Sequence, residues 1–199
     1  MSFRTEIDRI AEQVQARLSV LLGEDDPVPG PNADATAPLA EAMRYAALGG
    51  GKRLRPFLLV QAAQLFDVPD QTALEAACAL ECIHCYSLVH DDLPAMDDDG
   101  LRRGRPTVHI AFDEATAILA GDSLLTIAFE IISAPGCHDD PAIRAELTHL
   151  LDKASGWQGM ALGQALDLAA EQRRFSPEET TAMQMLKTGA LFRVACEAV

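Results

Sequence analysis

Five aspartates, Asp91, Asp92, Asp97, Asp98 and Asp99, stand within nine residues, directly after the largely apolar run CIHCYSLVH. Like charges repel, so carboxylates this dense at the end of an apolar segment are favoured mainly when cations lie between them. The basic run LRRGRP follows at once. A solvated acidic loop would explain neither these arginines nor the apolar segment that precedes the aspartates. The segment therefore predicts a site for a divalent metal ion and a polyphosphate.

The apolar segment before the aspartates predicts one helix over residues 73–93. His84, Ser87 and Asp91 are spaced i, i+3 and i+7, which places them on one polar face of that helix. Pro94 cannot continue the helix, so the chain must loop out after it. Such a loop can bring Asp97 back towards Asp91, whereas a continuous helix would turn it away.

The spacing of the acidic residues favours Mg²⁺ over other metal ions. In an EF-hand with Gly100 at loop position six, positions one and twelve would be Ala95 and Pro106, and neither is the required acidic ligand. Zinc would require histidine or cysteine at the cluster. Magnesium prefers one or two carboxylates together with phosphate oxygens and water. We therefore expect Mg²⁺ as the cofactor.

Basic residues form two clusters in a chain with 16 lysines and arginines against 30 acidic residues. The clusters are Lys52, Arg53 and Arg55 in GGGKRLRP, and Arg102 and Arg103 in LRRGRP. Guanidinium groups bind diphosphate oxygens in a fork. The GGGK run is not a P-loop, because that motif needs glycine at position 46 and serine or threonine at position 53. The chain has Ala46 and Arg53 there.

With these motifs the sequence resembles a known family. The segments GGGKRLRPFL, ECIHCYSLVHDDLPAMDDDGLRRGRPT, AILAGDSLL, GQALDL and KTGALFR occur in the order found in the trans-isoprenyl diphosphate synthases, closest to the bacterial type of farnesyl diphosphate synthase. The resemblance implies an all-α fold, an isoprenoid-synthase-type helical bundle around a central cavity, in a single domain over residues 1–199. It also implies a homodimer that joins isopentenyl diphosphate to dimethylallyl or geranyl diphosphate, giving farnesyl diphosphate.

The resemblance implies roles for particular residues. Asp91 and Asp97 would coordinate Mg²⁺, with Asp92 as a weaker ligand or a supporting group. Arg102, Lys187 and Thr188 would hold the allylic diphosphate, with Gln164 and Asp167 lining its side. Lys52, Arg55, His84 and Arg103 would hold isopentenyl diphosphate. Tyr86 and Ser87 would close the pocket on the growing chain and set its length. Asp91, Asp97, Arg102 and Lys187 would be the catalytic residues.

One motif of the family pattern is missing. A second aspartate-rich motif is expected well beyond KTGA, but only 12 residues follow Lys187, and none of them is aspartate. We therefore expect the 199-residue chain to lack its C-terminal part, and its activity alone is doubtful. Two alternatives stay open: a geranyl or geranylgeranyl diphosphate synthase, and a noncatalytic diphosphate-binding partner subunit.

The net charge of −14 argues against nucleic acid and anionic membrane as partners. The sequence shows no secretory signal, and we expect no apolar run long enough to span a bilayer, so a cytoplasmic protein without membrane insertion is predicted. Cys82 and Cys85 form a single Cys-x-x-Cys, and Cys78 shares their helix face. With no second such pair, these cysteines are interpreted as small apolar residues rather than zinc ligands.

Apolar periodicity and capping signals predict the helices. Their ranges are 3–22, 38–48, 54–67, 73–93, 107–134 with a break at Gly121, 142–157, 160–173 and 177–199. Ser176, Pro177 and Glu179 form a strong helix start. The run from Gly23 to Thr36 is predicted to be a loop.

Overall fold

The computed structural model describes residues 2–23 and 33–198, and side chains from 37 onward in the second range. The chain there is almost entirely helical. The α-helices are α1 (Phe3–Leu21), α2 (Ala33–Ala47), α3 (Leu54–Leu65), α4 (Asp70–Asp91), α5 (Val108–Ala111), α6 (Glu114–Ser133), α7 (Pro141–Ser155), α8 (Met160–Gln172), α9 (Pro177–Gln184) and α10 (Ala190–Glu197). A π-helix, Met185–Gly189, joins α9 to α10, and two short strands, β1 (Leu101–Arg102) and β2 (Arg105–Pro106), form a hairpin.

Most predicted helix boundaries agree with the structure to within a few residues. The capping box before α9 is present: the Ser176 hydroxyl accepts from the Glu179 N–H at 3.2 Å, and the Glu179 carboxylate accepts from the Ser176 N–H at 2.9 Å. These two bonds satisfy donors that a helix start would otherwise leave without partners.

Two predicted boundaries were wrong. The break expected at Gly121 lies instead at residues 112–113, between α5 and α6. Gly121 lies inside α6, and only glycine fits there because a side chain would collide with the ring of His90. The helix predicted to begin at residue 38 begins at Ala33, so part of the predicted loop is helical. Most of that loop, residues 24–32, lies outside the described residues.

Contacts divide the chain into two compact units, Met1–Arg53 with Glu81–Glu130, and Leu54–Leu80 with Ile131–Val199. In the first unit, α1 buries Ile10, Val14 and Leu18 completely. These residues follow the four-residue spacing of one helix face, which explains why α1 packs along that face. The prediction of a single domain remains a prediction.

In the second unit, α10 packs against α3 and α7, and α8 packs against the π-helix and α9. Leu151 of α7 and Leu191 of α10 are fully buried in it. This unit carries the GQALDL and KTGALFR segments on α8 and on the π-helix with α10.

The two longest apolar helices are α4 and α6. By length and hydropathy both could cross a membrane, which corrects the expectation that no run is long enough. About 67% of the apolar window of α4 is buried, and core helices of soluble proteins pass the same test, so this is weak evidence for a membrane span. Cys78, Cys82 and Cys85 are buried in α4 and form no disulfide. Their burial agrees with the interpretation of these cysteines as small apolar residues.

Candidate functional site

The aspartate-rich loop begins where α4 ends, at Asp91. As expected from Pro94, the chain then folds back: the Asp97 N–H donates to the Asp91 carbonyl at 2.8 Å, and the Asp98 N–H donates to the Leu93 carbonyl at 3.2 Å. The residue Asp91 is half-buried, whereas Asp97 is exposed. The loop thus returns Asp97 to the end of the helix that carries Asp91.

Asp92 has a different environment from the other aspartates. Its side chain is only 4% exposed, and Arg102 donates to Oδ1 through Nε at 2.7 Å, with Nη2 at 2.5 Å from the same oxygen. Burial raises the pKa of the Asp92 carboxyl, and the hydrogen bond and charge of Arg102 oppose that rise. The hydrogen bond that Arg102 donates to Asp92 in turn raises the pKa of Arg102. The buried carboxylate therefore fixes the direction of the Arg102 guanidinium.

Replacing Arg102 with alanine should lower the free energy of unfolding near pH 7 by about 1–3 kcal/mol, because Asp92 would remain buried without its partner. The pKa of Asp92 would rise further, so protonation would remove the unpaired charge. The deficit should therefore shrink as the pH falls from about 7 to about 5. Denaturant unfolding of both proteins across that range tests this. If the loss in unfolding free energy does not change with pH, the ionised Asp92 carboxylate is not stabilised by Arg102. Arg105→Ala, at an exposed arginine of the same hairpin, serves as the control.

The run LRRGRP forms a two-stranded hairpin. Leu101 pairs with Pro106, and Arg102 with Arg105. The turn residues Arg103 and Gly104 have φ of 55° and 77°, the positive values that a two-residue type I′ turn requires at both positions. This tight turn projects Arg103 from the tip of the hairpin.

Arg103 contacts the glycine-rich loop that follows α2. Its Nη1 donates a hydrogen bond to the Gly50 carbonyl, and a side chain added at Gly51 would collide with the same guanidinium. Gly50 and Gly51 have φ of 86° and 135°, which other residues rarely adopt. The basic hairpin therefore contacts the glycine-rich loop that leads to Lys52, whereas Arg55 belongs to the second unit. Lys52 is exposed beside this contact.

Arg53 is not part of the exposed basic cluster in which the sequence placed it. It is only 4% exposed, and its Nη1 lies 2.6 Å from Glu81 Oε1. No local pattern predicts the burial of Arg53, because its partner Glu81 on α4 is 28 residues away.

A cleft open to solvent lies beside the hairpin. Its walls are both apolar and basic, and include Tyr45, Leu88, Val89, Asp92, Arg102 and Arg103. It thus provides apolar surface next to three guanidinium groups, those of Arg102, Arg103 and Arg105. An anion with a short hydrocarbon chain requires this combination.

Three further candidate residues lie along the last turns of α4. The Ser87 hydroxyl donates to the His84 carbonyl at 2.9 Å, so its proton is already used in a hydrogen bond within α4. The Tyr86 ring packs edge-on against His90, with 5.9 Å between ring centroids. Burial, with a smaller effect from the charge of Asp91, raises the pKa of the Tyr86 phenol. Tyr86 is thus a neutral, half-buried aromatic group near the start of the aspartate-rich loop.

The second unit carries the other predicted residues. Lys187 Nζ lies 2.5 Å from Asp167 Oδ2, and both side chains are partly exposed. Lys187 and Thr188 belong to the π-helix, a widened turn that is often found at functional sites. Gly163 lies directly beneath this turn, where a side chain would overlap the backbone of Lys187. No local pattern in the sequence indicates this role of Gly163, because its contact is with Lys187, far along the chain.

Two more predicted residues in this unit are partly buried. The side-chain amide of Gln164 has both polar atoms buried with no hydrogen-bond partner. Arg55 stacks over the Phe192 ring, 4.7 Å from its centroid. A buried amide without a partner costs free energy, which a bound ligand could recover.

Within the described residues, no group of three or more histidine, cysteine, aspartate or glutamate side chains could hold a metal ion. The residues present nevertheless fit Mg²⁺ bound together with a substrate. Asp91 and Asp97 supply carboxylate oxygens, and this ion usually completes its octahedron with phosphate oxygens and water. Asp92 is already paired with Arg102, which fits a supporting role better than a ligand role.

Comparisons with known proteins agree with the motifs. The family model described as Polyprenyl synthetase matches residues 36–199. The chain is 53% identical over 160 residues to the farnesyl diphosphate synthase of Haemophilus influenzae, covering 80% of this chain and 54% of that protein. It is 46% identical to the Escherichia coli farnesyl diphosphate synthase, covering 98% of this chain and 63% of that protein.

A solved structure agrees as well. The apo FPP/GFPP synthase of Zymomonas mobilis superposes with a TM-score of 0.89 at 51% identity, covering 98% of this chain and 70% of that one. The fold is therefore the all-α isoprenoid synthase fold. The chain belongs to the polyprenyl synthetase family. It spans 54% and 63% of the length of the two curated relatives above.

Proposed function

We propose that the full-length protein is a trans-prenyltransferase that condenses isopentenyl diphosphate with dimethylallyl and geranyl diphosphates to farnesyl diphosphate. The observation that carries this proposal is the pairing of buried Asp92 with Arg102, which joins the aspartate-rich loop to the basic hairpin. Carboxylates and guanidinium groups are thereby held beside one cleft. The two curated relatives described above are both named farnesyl diphosphate synthase.

The chemistry explains why this arrangement is suitable. Breaking the allylic carbon–oxygen bond leaves an allylic cation and a diphosphate, so positive charge placed beforehand around the diphosphate lowers the barrier. Mg²⁺ bound at Asp91 and Asp97 would supply part of that charge. Arg102 supplies another part of the positive charge. Because Asp92 already holds its guanidinium in place, the side chain does not have to reorient during the reaction. Arg103 and Lys52 would hold isopentenyl diphosphate.

The cation must meet the isopentenyl double bond and not water. Apolar walls such as Leu88 and Val89 favour this by excluding solvent. No side chain of the described residues is assigned as the base that removes the final proton. The diphosphate released in the first step is a suitable acceptor, because it is already present beside the cation.

In the second unit we propose that Lys187, Thr188 and Gln164 bind the allylic substrate. Asp167 holds the Lys187 ammonium at 2.5 Å and so orients it. The unpartnered amide of Gln164 supports a role in binding, because a ligand would satisfy it. Arg55 and His84 are proposed to hold isopentenyl diphosphate, as the resemblance implies.

Turnover by the full-length protein tests the proposal. Isopentenyl diphosphate and dimethylallyl diphosphate are supplied with Mg²⁺, and diphosphate release is followed with time. We expect release that requires both substrates and stops with a chelator. Absence of release would favour the noncatalytic diphosphate-binding subunit. Chromatography of the products separates the farnesyl assignment from the geranyl and geranylgeranyl alternatives.

Replacing Gly163 with alanine should reduce turnover by roughly 10–100-fold, because the added methyl group displaces the π-helix and with it Lys187. Gly136→Ala is a matched control, since a side chain there meets nothing within 4 Å. Turnover and thermal unfolding are measured for both variants. If the two variants have equal activity, the close approach of Gly163 does not position Lys187.

We also propose that the protein is a homodimer in the cytoplasm. Ile118 and Leu119 on α6 are 45% and 53% exposed, and a second subunit would cover such apolar side chains. Light scattering of the full-length protein in solution gives the mass that tests this. A monomer at micromolar concentration would contradict it.

A further inference from the structure

A buried guanidinium lies inside the glycine-rich loop. Arg53 Nη1 donates to Glu81 Oε1 at 2.6 Å, and Nη2 donates to Gln15 Oε1 at 2.7 Å and to the Ala47 carbonyl at 2.5 Å. The side chains of Arg53 and Glu81 are 2% and 3% exposed. Burial, with the charge of Glu81, raises the pKa of the neighbouring Cys85 thiol to about 12, so the thiol is neutral.

These bonds join three helices to one loop. Gln15 belongs to α1, the Ala47 carbonyl ends α2, and Glu81 belongs to α4. Gln15 also donates through Nε2 to the Leu48 carbonyl at 3.0 Å, at the start of the loop. The loop is therefore held at its first residue and at its last.

The loop backbone is in an unusual conformation. Arg53 itself has φ of 45°, and Gly50 and Gly51 also have positive φ. A non-glycine residue in this region is strained, so it persists only where other contacts hold it. The three hydrogen bonds of the Arg53 guanidinium are contacts of that kind.

The clamped loop carries two groups that face solvent. Lys52, next to Arg53, is exposed, and the Gly50 carbonyl accepts the hydrogen bond from Arg103. Both Lys52 and Arg103 are proposed above to hold isopentenyl diphosphate. Movement of the loop would therefore displace both cations at once.

We propose that Arg53 is a positioning residue for diphosphate binding: it fixes the glycine-rich loop against Glu81 so that Lys52 and Arg103 converge on one diphosphate group. This inference rests on the proposed function and deepens it. Arg53 does not touch the substrate. Its effect is on affinity for the non-allylic diphosphate, with little effect on the chemical step.

Lysine is the informative replacement for Arg53. It keeps the charge that Glu81 needs, but a single ammonium group cannot make the three directed bonds of the planar guanidinium. Glu81→Gln tests the same contact from the other side. Because the two residues share one network, their effects should not add in the double variant.

Two readouts separate positioning from simple stability in the full-length protein. The first is the affinity for inorganic diphosphate by calorimetry in the presence of a chelator. The second is KM for each substrate in the Mg²⁺-dependent reaction. Leu151→Ala is the control, because this residue is fully buried in the second unit, whereas the glycine-rich loop belongs to the first. It lowers the melting temperature through a cavity.

For Arg53→Lys we expect about tenfold weaker diphosphate binding and about a tenfold higher KM for isopentenyl diphosphate. The kcat and the KM for the allylic substrate should change by less than about threefold. For Leu151→Ala, diphosphate affinity should stay within about twofold. If Arg53→Lys lowers only the melting temperature, as Leu151→Ala does, the residue is merely structural and the inference is wrong.

The outcome also distinguishes this inference from the proposed function. If the unaltered protein binds diphosphate but forms no product, the proposed condensation is wrong, while the binding measurements still decide the role of Arg53. If the unaltered protein does not bind diphosphate, the positioning role is wrong as well.

Discussion

Replacing Asp91 or Asp97 with alanine should lower condensation by the full-length enzyme about a thousandfold or more. Each change removes a carboxylate oxygen that would place Mg²⁺ against the departing diphosphate. The loop returns Asp97 to Asp91 through the 2.8 Å bond from the Asp97 N–H to the Asp91 carbonyl, so the two positions should act on one metal site. The double variant should therefore lose little more activity than either single variant.

Asp99→Ala is the matched control for these variants. Asp99 is exposed and lies 3.4 Å from Arg102, whose main partner, Asp92, would remain. We expect a loss of less than about tenfold. Steady-state kinetics at saturating Mg²⁺ measure all three variants. Equal and mild losses at positions 91, 97 and 99 would mean that the aspartates form only a solvated acidic loop.

Replacing Tyr86 with alanine should lengthen the product. Ser87 is about one turn before Asp91 on nearly the same helix face, about 6 Å away along the axis, and Tyr86 projects beside it. A hydrocarbon chain whose diphosphate is held at Asp91 would grow back along α4 and meet these side chains. Removing the larger one should allow at least one further isoprene unit, giving geranylgeranyl diphosphate or longer products.

Tyr86→Phe is the control for that change, because it keeps the ring and removes only the hydroxyl. It should still give farnesyl diphosphate. The Tyr86 ring packs against His90, and the His90 ring in turn fills the space beside Gly121. Because His90 is held there, the alanine variant should leave open the space that the Tyr86 ring occupied. Chromatography of the products decides the matter. If Tyr86→Ala still stops at farnesyl diphosphate, another residue limits chain length.

Local signals in the sequence were enough to predict the positions of most of the helices. Ser176, Pro177 and Glu179 predicted the start of α9 because capping depends on residues only three positions apart. Pro94 predicted the loop that returns Asp97 to Asp91, because proline cannot continue a helix. In both places the deciding interaction is close in the chain.

Features that depend on distant residues were missed. Arg53 stands between two other basic residues, and its burial depends on partners that are distant in the chain, such as Glu81, 28 positions later. Gly121 suggested a helix break, yet it allows the His90 ring to approach α6 closely. The π-helix at Lys187 likewise lies over Gly163 of another helix. None of these contacts leaves a local pattern that sequence periodicity could detect.

The measurement that tests the central claim most directly is product formation by the full-length protein from isopentenyl and geranyl diphosphates. The unaltered protein and Asp97→Ala are compared side by side, each with Mg²⁺ and with a chelator. We expect farnesyl diphosphate from the unaltered protein with Mg²⁺, and almost none in the other three reactions. Equal product from Asp97→Ala, or none from any reaction, would contradict the central claim.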